Sequence, residues 1–265
     1  MKWTRADRKW GRFVVRWTAT RICAIEDRGT HVYATGPEGR VAILTPTGSQ
    51  EEMIDPSPQG PLGRGPIRDL RKIGNQLYAC GMARQVYHRA ATGWTRQDQG
   101  VVLPLGATKI AGFNSLDGLN EGDIYAVGYG GEIWRRVGGN WQQIVSPTNV
   151  ILNRVKVVGP DRVFACGQKG VLLAGSSNQW RQIDHDATTD QLWGMDWFNN
   201  ALYVSSEDAL YRFDGAETLE PVNVKLGKGW TFGHLHSHDG VLWSFGTKHL
   251  AWTEDGVHWN DGFPR

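Results

Sequence analysis

The sequence predicts an all-β fold: one six-bladed β-propeller of four-stranded blades, occupying residues 1–265 as a single domain. Three observations predict it. A five-residue motif returns six times at a nearly even spacing. Tryptophans recur at a fixed offset from that motif. The composition, with 34 glycines and 13 tryptophans in 265 residues, combines many turns with many large flat side chains, a pairing that suits short strands better than helices.

The motif is apolar–aromatic–x–x–Gly. It reads Val32-Tyr33-Ala34-Thr35-Gly36, Leu77-Tyr78-Ala79-Cys80-Gly81, Ile124-Tyr125-Ala126-Val127-Gly128 and Val163-Phe164-Ala165-Cys166-Gly167. Its last two copies are Leu202-Tyr203-Val204-Ser205-Ser206 and Leu242-Trp243-Ser244-Phe245-Gly246. The anchors Gly36, Gly81, Gly128, Gly167, Ser206 and Gly246 lie 45, 47, 39, 39 and 40 residues apart, with serine replacing glycine once. Five residues beyond each anchor stands Val41, Val86, Ile133, Leu172, Tyr211 or Ala251. Thirteen beyond stands Trp94, Trp141, Trp180 or Trp259 in four copies, with Ser49 and Leu219 in the other two.

Each copy divides into strands A to D. Short turns such as Gly74-Asn75, Asn199-Asn200 and Asp239-Gly240 separate A from B. Gly130 to Val137 reads as strand C, Gly138-Gly139-Asn140 as a hairpin turn, and Trp141 to Ile144 as strand D. Four meandering strands in about 40 residues is the period of propeller blades. One blade cannot bury both faces alone, so blades must stack around an axis.

Asp123 to Ile144, DIYAVGYGGEIWRRVGGNWQQI, resembles a blade of the bacterial propeller proteins loosely related to WD-repeat, Kelch and Asp-box families. The Gly-His and Trp-Asp signatures of true WD repeats are missing. Thr253-Glu254-Asp255-Gly256-Val257-His258-Trp259 resembles a shortened Asp-box turn. The whole chain is also similar to small cytoplasmic bacterial propellers that accompany polymorphic toxins as immunity proteins. That resemblance implies a non-enzymatic protein that grips a toxin domain and occludes its active site.

Ring closure is expected to need the N-terminus, because little chain follows Trp259. Trp10 to Trp17 begins like the D strands at Trp141 and Trp180, and is expected to pair with the last blade. A seven-bladed ring is the alternative.

The long connections run from D to the next A, near residues 55–66, 98–111, 145–151, 184–190 and 223–230, and should share one face with the B–C turns. Variable loops on a rigid scaffold are where binding is sought. The expected partner-binding residues are Arg64, Leu103, Leu105, Lys109, Asp184, Asp186, Asp190, Lys228 and Trp230. The connection from Gly100 to Gly106 is strongly apolar, so it either tucks under the ring or offers an apolar patch. Residues 1–112 carry 17 Lys and Arg against 9 Asp and Glu, and residues 113–265 carry 12 against 18, an asymmetry suited to a protein partner. The basic run Lys2, Arg5, Arg8, Lys9, Arg12, Arg16 reads as a charged edge strand more than a nucleic-acid contact, given a net charge of +2.

Catalytic signatures are sparse. No Gly-x-Ser-x-Gly elbow or phosphate-binding Gly-x-x-x-x-Gly-Lys occurs. His234, His236 and His238 would share a strand face, and with Asp196 or Asp117 they are the candidate metal ligands, against the reading that they are packed between blades. Asp69, Asp117 and Asp196 are candidate channel carboxylates. These features keep a channel-metal hydrolase or lyase as one alternative. Trp193 and Trp197 keep a lectin-like carbohydrate binder as another. No cofactor is expected. Cys23, Cys80 and Cys166 are too few and too scattered for a disulfide framework. With no secretory leader and no apolar run of about 18 residues, a cytoplasmic location is expected.

Overall fold

The computed structural model describes residues 2–3, 10–11, 13–26, 30–215, 218–224, 229–247 and 249–262. Six four-stranded antiparallel sheets are arranged as a ring, each a simple A-B-C-D meander. Blade 1 comprises Arg21–Glu26, Thr30–Thr35, Arg40–Thr45 and Gly48–Met53. Blade 2 comprises Ile67–Ile73, Gln76–Gly81, Val86–Ala90 and Gly93–Arg96. Blade 3 comprises Phe113–Asn120, Asp123–Gly128, Ile133–Val137 and Asn140–Ile144. Blade 4 comprises Leu152–Gly159, Arg162–Gly167, Leu172–Ser176 and Gln179–Gln182. Blade 5 comprises Gly194–Phe198, Ala201–Ser205, Leu210–Phe213 and Leu219–Pro221. Blade 6 comprises His234–His238, Val241–Phe245, Leu250–Thr253 and Asn260–Asp261.

The repeat has a physical cause in each part. Alternate residues of strand B face opposite gaps. Leu77 and Ala79 therefore pack toward blade 1, while Tyr78 and Cys80 pack toward blade 3. The recurrent tryptophans of strand D fill the gap to the preceding blade. Trp94, Trp141, Trp180 and Trp259 join four separate clusters, and Leu219 does the same in blade 5. The anchor glycine is required by a close approach of backbone. A Cβ at Gly81, Gly128 or Gly167 would strike the carbonyl of Pro66, Gly112 or Ile151, where the incoming connection passes. The A–B turns at Asn199-Asn200 and Asp239-Gly240 have positive φ at both residues, as tight hairpins of this hand demand.

Two expectations need correction. The B–C segment of blade 3 begins not as strand but as a short 3-10 turn, Tyr129–Gly131, before strand C starts at Ile133. Ring closure also differs. Blade 6 completes its own fourth strand with Asn260–Asp261, which pairs with Ala251 and Trp252. Trp10–Gly11 pairs instead with Lys2–Trp3, and residues 13–20 are not strand. Two residues past Trp259 suffice for that outer edge, so the N-terminus is not needed for it.

Candidate functional site

Around blades 2 to 4 the D–A connections and B–C turns meet and are stitched together by backbone hydrogen bonds. Met82 N donates to Pro66 O (3.0 Å), Ala83 N to Ala111 O (2.8 Å) and Leu103 N to Ala83 O (2.9 Å). On blade 4, Gly170 N donates to Asp190 O (2.8 Å), and His185 Nε2 lies 2.9 Å from Gly170 O. These loops are long yet anchored.

Four of the expected binding residues converge. Arg64, Leu103, Leu105 and Lys109 line one groove with Gly63, Met82 and Ile110. The apolar connection divides: Val101 is buried, whereas Pro104 to Gly106 are exposed, as are Ala107 to Ile110 beyond them. Leu62, Leu105 and Ile110 are 60%, 47% and 73% exposed, so an apolar rim stands in solvent. Arg64 is not a free charge at this rim. Its Nε donates to Gln59 O (2.8 Å) and its Nη1 to Leu103 O, clamping the first connection to the second.

Lys109 is tied to a buried carboxylate. Glu132 accepts from Lys109 Nζ (3.1 Å), from Arg84 Nε and Nη2 (2.7 and 2.6 Å) and from Trp134 Nε1 (3.2 Å). Burial would raise its pKa, but the Arg84 and Lys109 hydrogen bonds outweigh that and lower it. Arg84 holds a left-handed backbone (φ 59°), uncommon outside glycine, and this network keeps it there.

The other expected residues lie elsewhere on the face. Asp184, Asp186 and Asp190 are exposed on the fourth connection. Trp230 stacks on His249 beside blade 6, with ring centroids 3.9 Å apart. Lys228 lies outside the described residues, as do Arg5, Arg8, Lys9 and Arg12 of the basic run.

The central channel is lined by the A strands in register. One layer holds Arg21, Asp69, Ser115, Arg154, Gly194 and His234, each paired to the residue before the B-strand anchor. The next layer holds Cys23, Arg71, Asp117, Lys156, Asp196 and His236. The acids bridge blades. Asp69 Oδ2 accepts from Ser115 Oγ (2.9 Å) and Leu116 N (3.4 Å), Asp117 Oδ2 from Val157 N (2.8 Å), and Asp196 Oδ2 from Ser237 N (2.7 Å). Burial alone would raise the pKa of Asp69, but Arg154, Arg71, Arg21 and the Ser115 hydroxyl prevail and bring it to about 2. A carboxylate so committed is a poor proton donor at neutral pH.

The three histidines share a strand face but not a focus. His234 Nδ1 lies 3.4 Å from Arg154 Nη2, His236 Nδ1 is 3.8 Å from Asp196, and His238 Nε2 is 3.3 Å from Glu26. Asp196 already pairs with Lys156 Nζ at 2.6 Å. Among the described residues no group of three or more His, Cys, Asp or Glu could hold a metal. Trp197 stacks on Phe164 between blades, while Trp193 is 41% exposed at the channel mouth. Cys80 and Cys166 are buried at the equivalent position of their two blades.

Sequence reasoning missed Leu62, Ile110 and, at the channel mouth, Arg68, Asn114 and Asn153. Arg68, Asn114 and Asn153 each sit at a break in A–B register, between Ile67 and Asp69, Phe113 and Ser115, and Leu152 and Arg154. A bulged residue leaves the strand alternation and is re-aimed, which is why a period-of-two reading could not find them.

No protein-family model matches the chain. It is 35% identical over 244 residues to the immune protein Tsi7 of Pseudomonas aeruginosa, across 92% of this chain and 79% of that one. Among solved structures, a virginiamycin B lyase from Staphylococcus aureus superposes with a TM-score of 0.74 at 12% identity, over 93% of this chain and 84% of that one. YCF48 from Cyanidioschyzon merolae does so with 0.68 at 14%, over 94% and 86%. At such identities these two likenesses concern the fold alone.

Proposed function

The chain belongs to the family of the immune protein Tsi7, and from that premise we propose that its loop face holds a toxin domain and covers that domain's active site. The role is that of a toxin-immunity protein, a propeller that works by binding another protein. The observation that carries the choice of face is the groove where Leu105 and Ile110 stand exposed, next to Leu62 of the first connection, on backbone fixed by Arg64 and by the Glu132 network. Apolar anchors on a preorganised backbone, rimmed by charge, are the usual makings of an interface hot spot, since little ordering entropy remains to be lost on binding. Asp184, Asp186 and Asp190 supply a second, acidic contact on the same face, steering the approach of a partner with complementary charge.

No helix among the described residues is long and apolar enough to cross a membrane. The free thiols Cys23, Cys80 and Cys166 fit a reducing compartment, and we place the action in the cytoplasm. The test is capture of a stoichiometric protein partner together with protection of cells that express it. Leu105→Asp combined with Ile110→Asp should weaken binding about tenfold or more and abolish protection. A double variant that still captures and protects sinks the choice of face.

A further inference from the structure

The loop-face mouth of the channel carries an uncompensated positive charge with a recess above it. Arg21, Arg68, Tyr129, Arg154, Trp193 and His234 are among the residues around a space of about 200 Å³. That is smaller than the roughly 300–1,000 Å³ of ordinary small-molecule pockets, and suits one side-chain tip or a small ion.

The charges do not balance here, although they do one layer deeper. The deeper layer sets Arg71 and Lys156 against Asp117 and Asp196. At the mouth, Arg21, Arg68 and Arg154 face the single carboxylate of Asp69. That carboxylate is already occupied by Arg154 (2.9 Å), Ser115 and Leu116 N, with Arg21 Nε at 3.6 Å. His234 adds no charge, since burial, Arg154 and Arg21 pull its pKa down to about 3. Burial and Arg154 likewise lower the pKa of Arg21, to about 10.

Arg68 is the informative residue. It occupies the bulge position that Asn114 and Asn153 occupy in the next two blades. There the side-chain amides donate to Leu152 O (2.9 Å) and Leu192 O (2.8 Å), fastening one blade to the next. Arg68 instead reaches Tyr129 Oη (2.6 Å) and lies over its ring, with no carboxylate in ion-pair range among the described residues. The Nε atoms of Arg68 and Arg21 are buried from solvent and have no hydrogen-bond acceptor among the described residues. Buried donors without acceptors are costly, and an arriving oxyanion would satisfy them with charge-assisted bonds.

We propose that this mouth is an oxyanion site, built by Arg68, Arg21 and Arg154, which receives a carboxylate side chain of the bound partner. The choice of source rests on the reading that the loop face holds a protein, and the exposed indole of Trp193 on the rim suits the stem of such a side chain. The oxyanion chemistry itself stands without that reading.

The test is titration of the purified chain, at fixed ionic strength, with N-acetylglutamate amide, its glutamine counterpart and inorganic phosphate. The glutamate compound should bind saturably and the glutamine counterpart about tenfold more weakly or less. Arg68→Gln should lose about tenfold in that affinity while melting as the parent does, and Arg21→Gln, as a second variant, should lose a similar factor while still folding. Absence of saturable binding, or binding unchanged in both variants, overturns the site. Phosphate binding without glutamate binding overturns the carboxylate source. Leu105→Asp should leave glutamate binding intact while impairing protection. If Leu105→Asp impairs protection and Arg68→Gln alters neither protection nor glutamate binding, this inference alone falls.

Discussion

The gap between blades 2 and 3 and the gap between blades 6 and 1 are built from equivalent positions, yet among the described residues only the first is a closed core. The A-strand residue that enters each gap is Leu70, Leu116, Val155, Met195 or Leu235 in five blades, each at most 7% exposed. In blade 1 it is Ile22, which is 64% exposed. On the facing side, Cys80, Val127, Cys166, Ser205 and Thr35 are fully buried, whereas Phe245 of blade 6 is 40% exposed. The strand-D position that carries tryptophan or leucine in the other five gaps carries Ser49 here. Five buried apolar clusters fill five gaps, and among the described residues none spans the sixth. Among the described residues an exposed pair, His238 and Glu26, crosses it at 3.3 Å, a kind of contact that contributes little by itself. Among the described residues the apolar packing is thus uneven around the ring.

The largest expected effect lies at the full gap. Glu132→Ala would leave Arg84 buried without its bidentate partner between blades 2 and 3, a loss of about 3–5 kcal/mol, read by urea unfolding. A cost near zero would mean that apolar packing alone holds the blades. Leu116→Ala, at a fully buried site, should lose about 2–5 kcal/mol by the same measurement.

A pH series addresses the channel, where Asp69 fastens Arg21 of blade 1, Ser115 of blade 3 and Arg154 of blade 4. Its pKa is depressed to about 2 in the folded protein. Its contribution is therefore complete above the ordinary carboxylate range and is lost as pH falls from about 4 through about 2. Melting midpoints of wild type and Asp69→Asn should differ at about pH 5 and converge toward about pH 2; parallel curves would remove Asp69 from the ring's fastening. The smallest effect is expected across the seam. Ile22→Ala should change stability by less than about 0.5 kcal/mol, and a loss matching that of Leu116→Ala would show that the two gaps are equivalent after all.

Much of this was legible without coordinates. The anchors Gly81, Gly128 and Gly167 announce the blades because a passing carbonyl forbids any Cβ there. The tryptophans thirteen residues on announce the gaps they fill. Ser49 breaks that tryptophan pattern at the gap where the described residues pack least. The convergence of Arg64, Leu103, Leu105 and Lys109 followed from placing all long connections on one face, since a meander returns every A strand to the same end. The acidic trio and Trp230 were placed on that face as well, but not in the groove.

Local composition and periodicity therefore decided the blade count, the strand order and the side on which the connections of blades 2 to 4 meet, because each depends on neighbouring repeats. Tertiary structure alone decided how the ring ends meet, which residues line the mouth and where charge is left over. Asp69 finds Arg154 across 85 residues, and Arg68, Asn114 and Asn153 turn inward only because a bulge shifts the register by one. Such a shift leaves the hydrophobic pattern almost unchanged while moving a side chain from one side of the sheet to another.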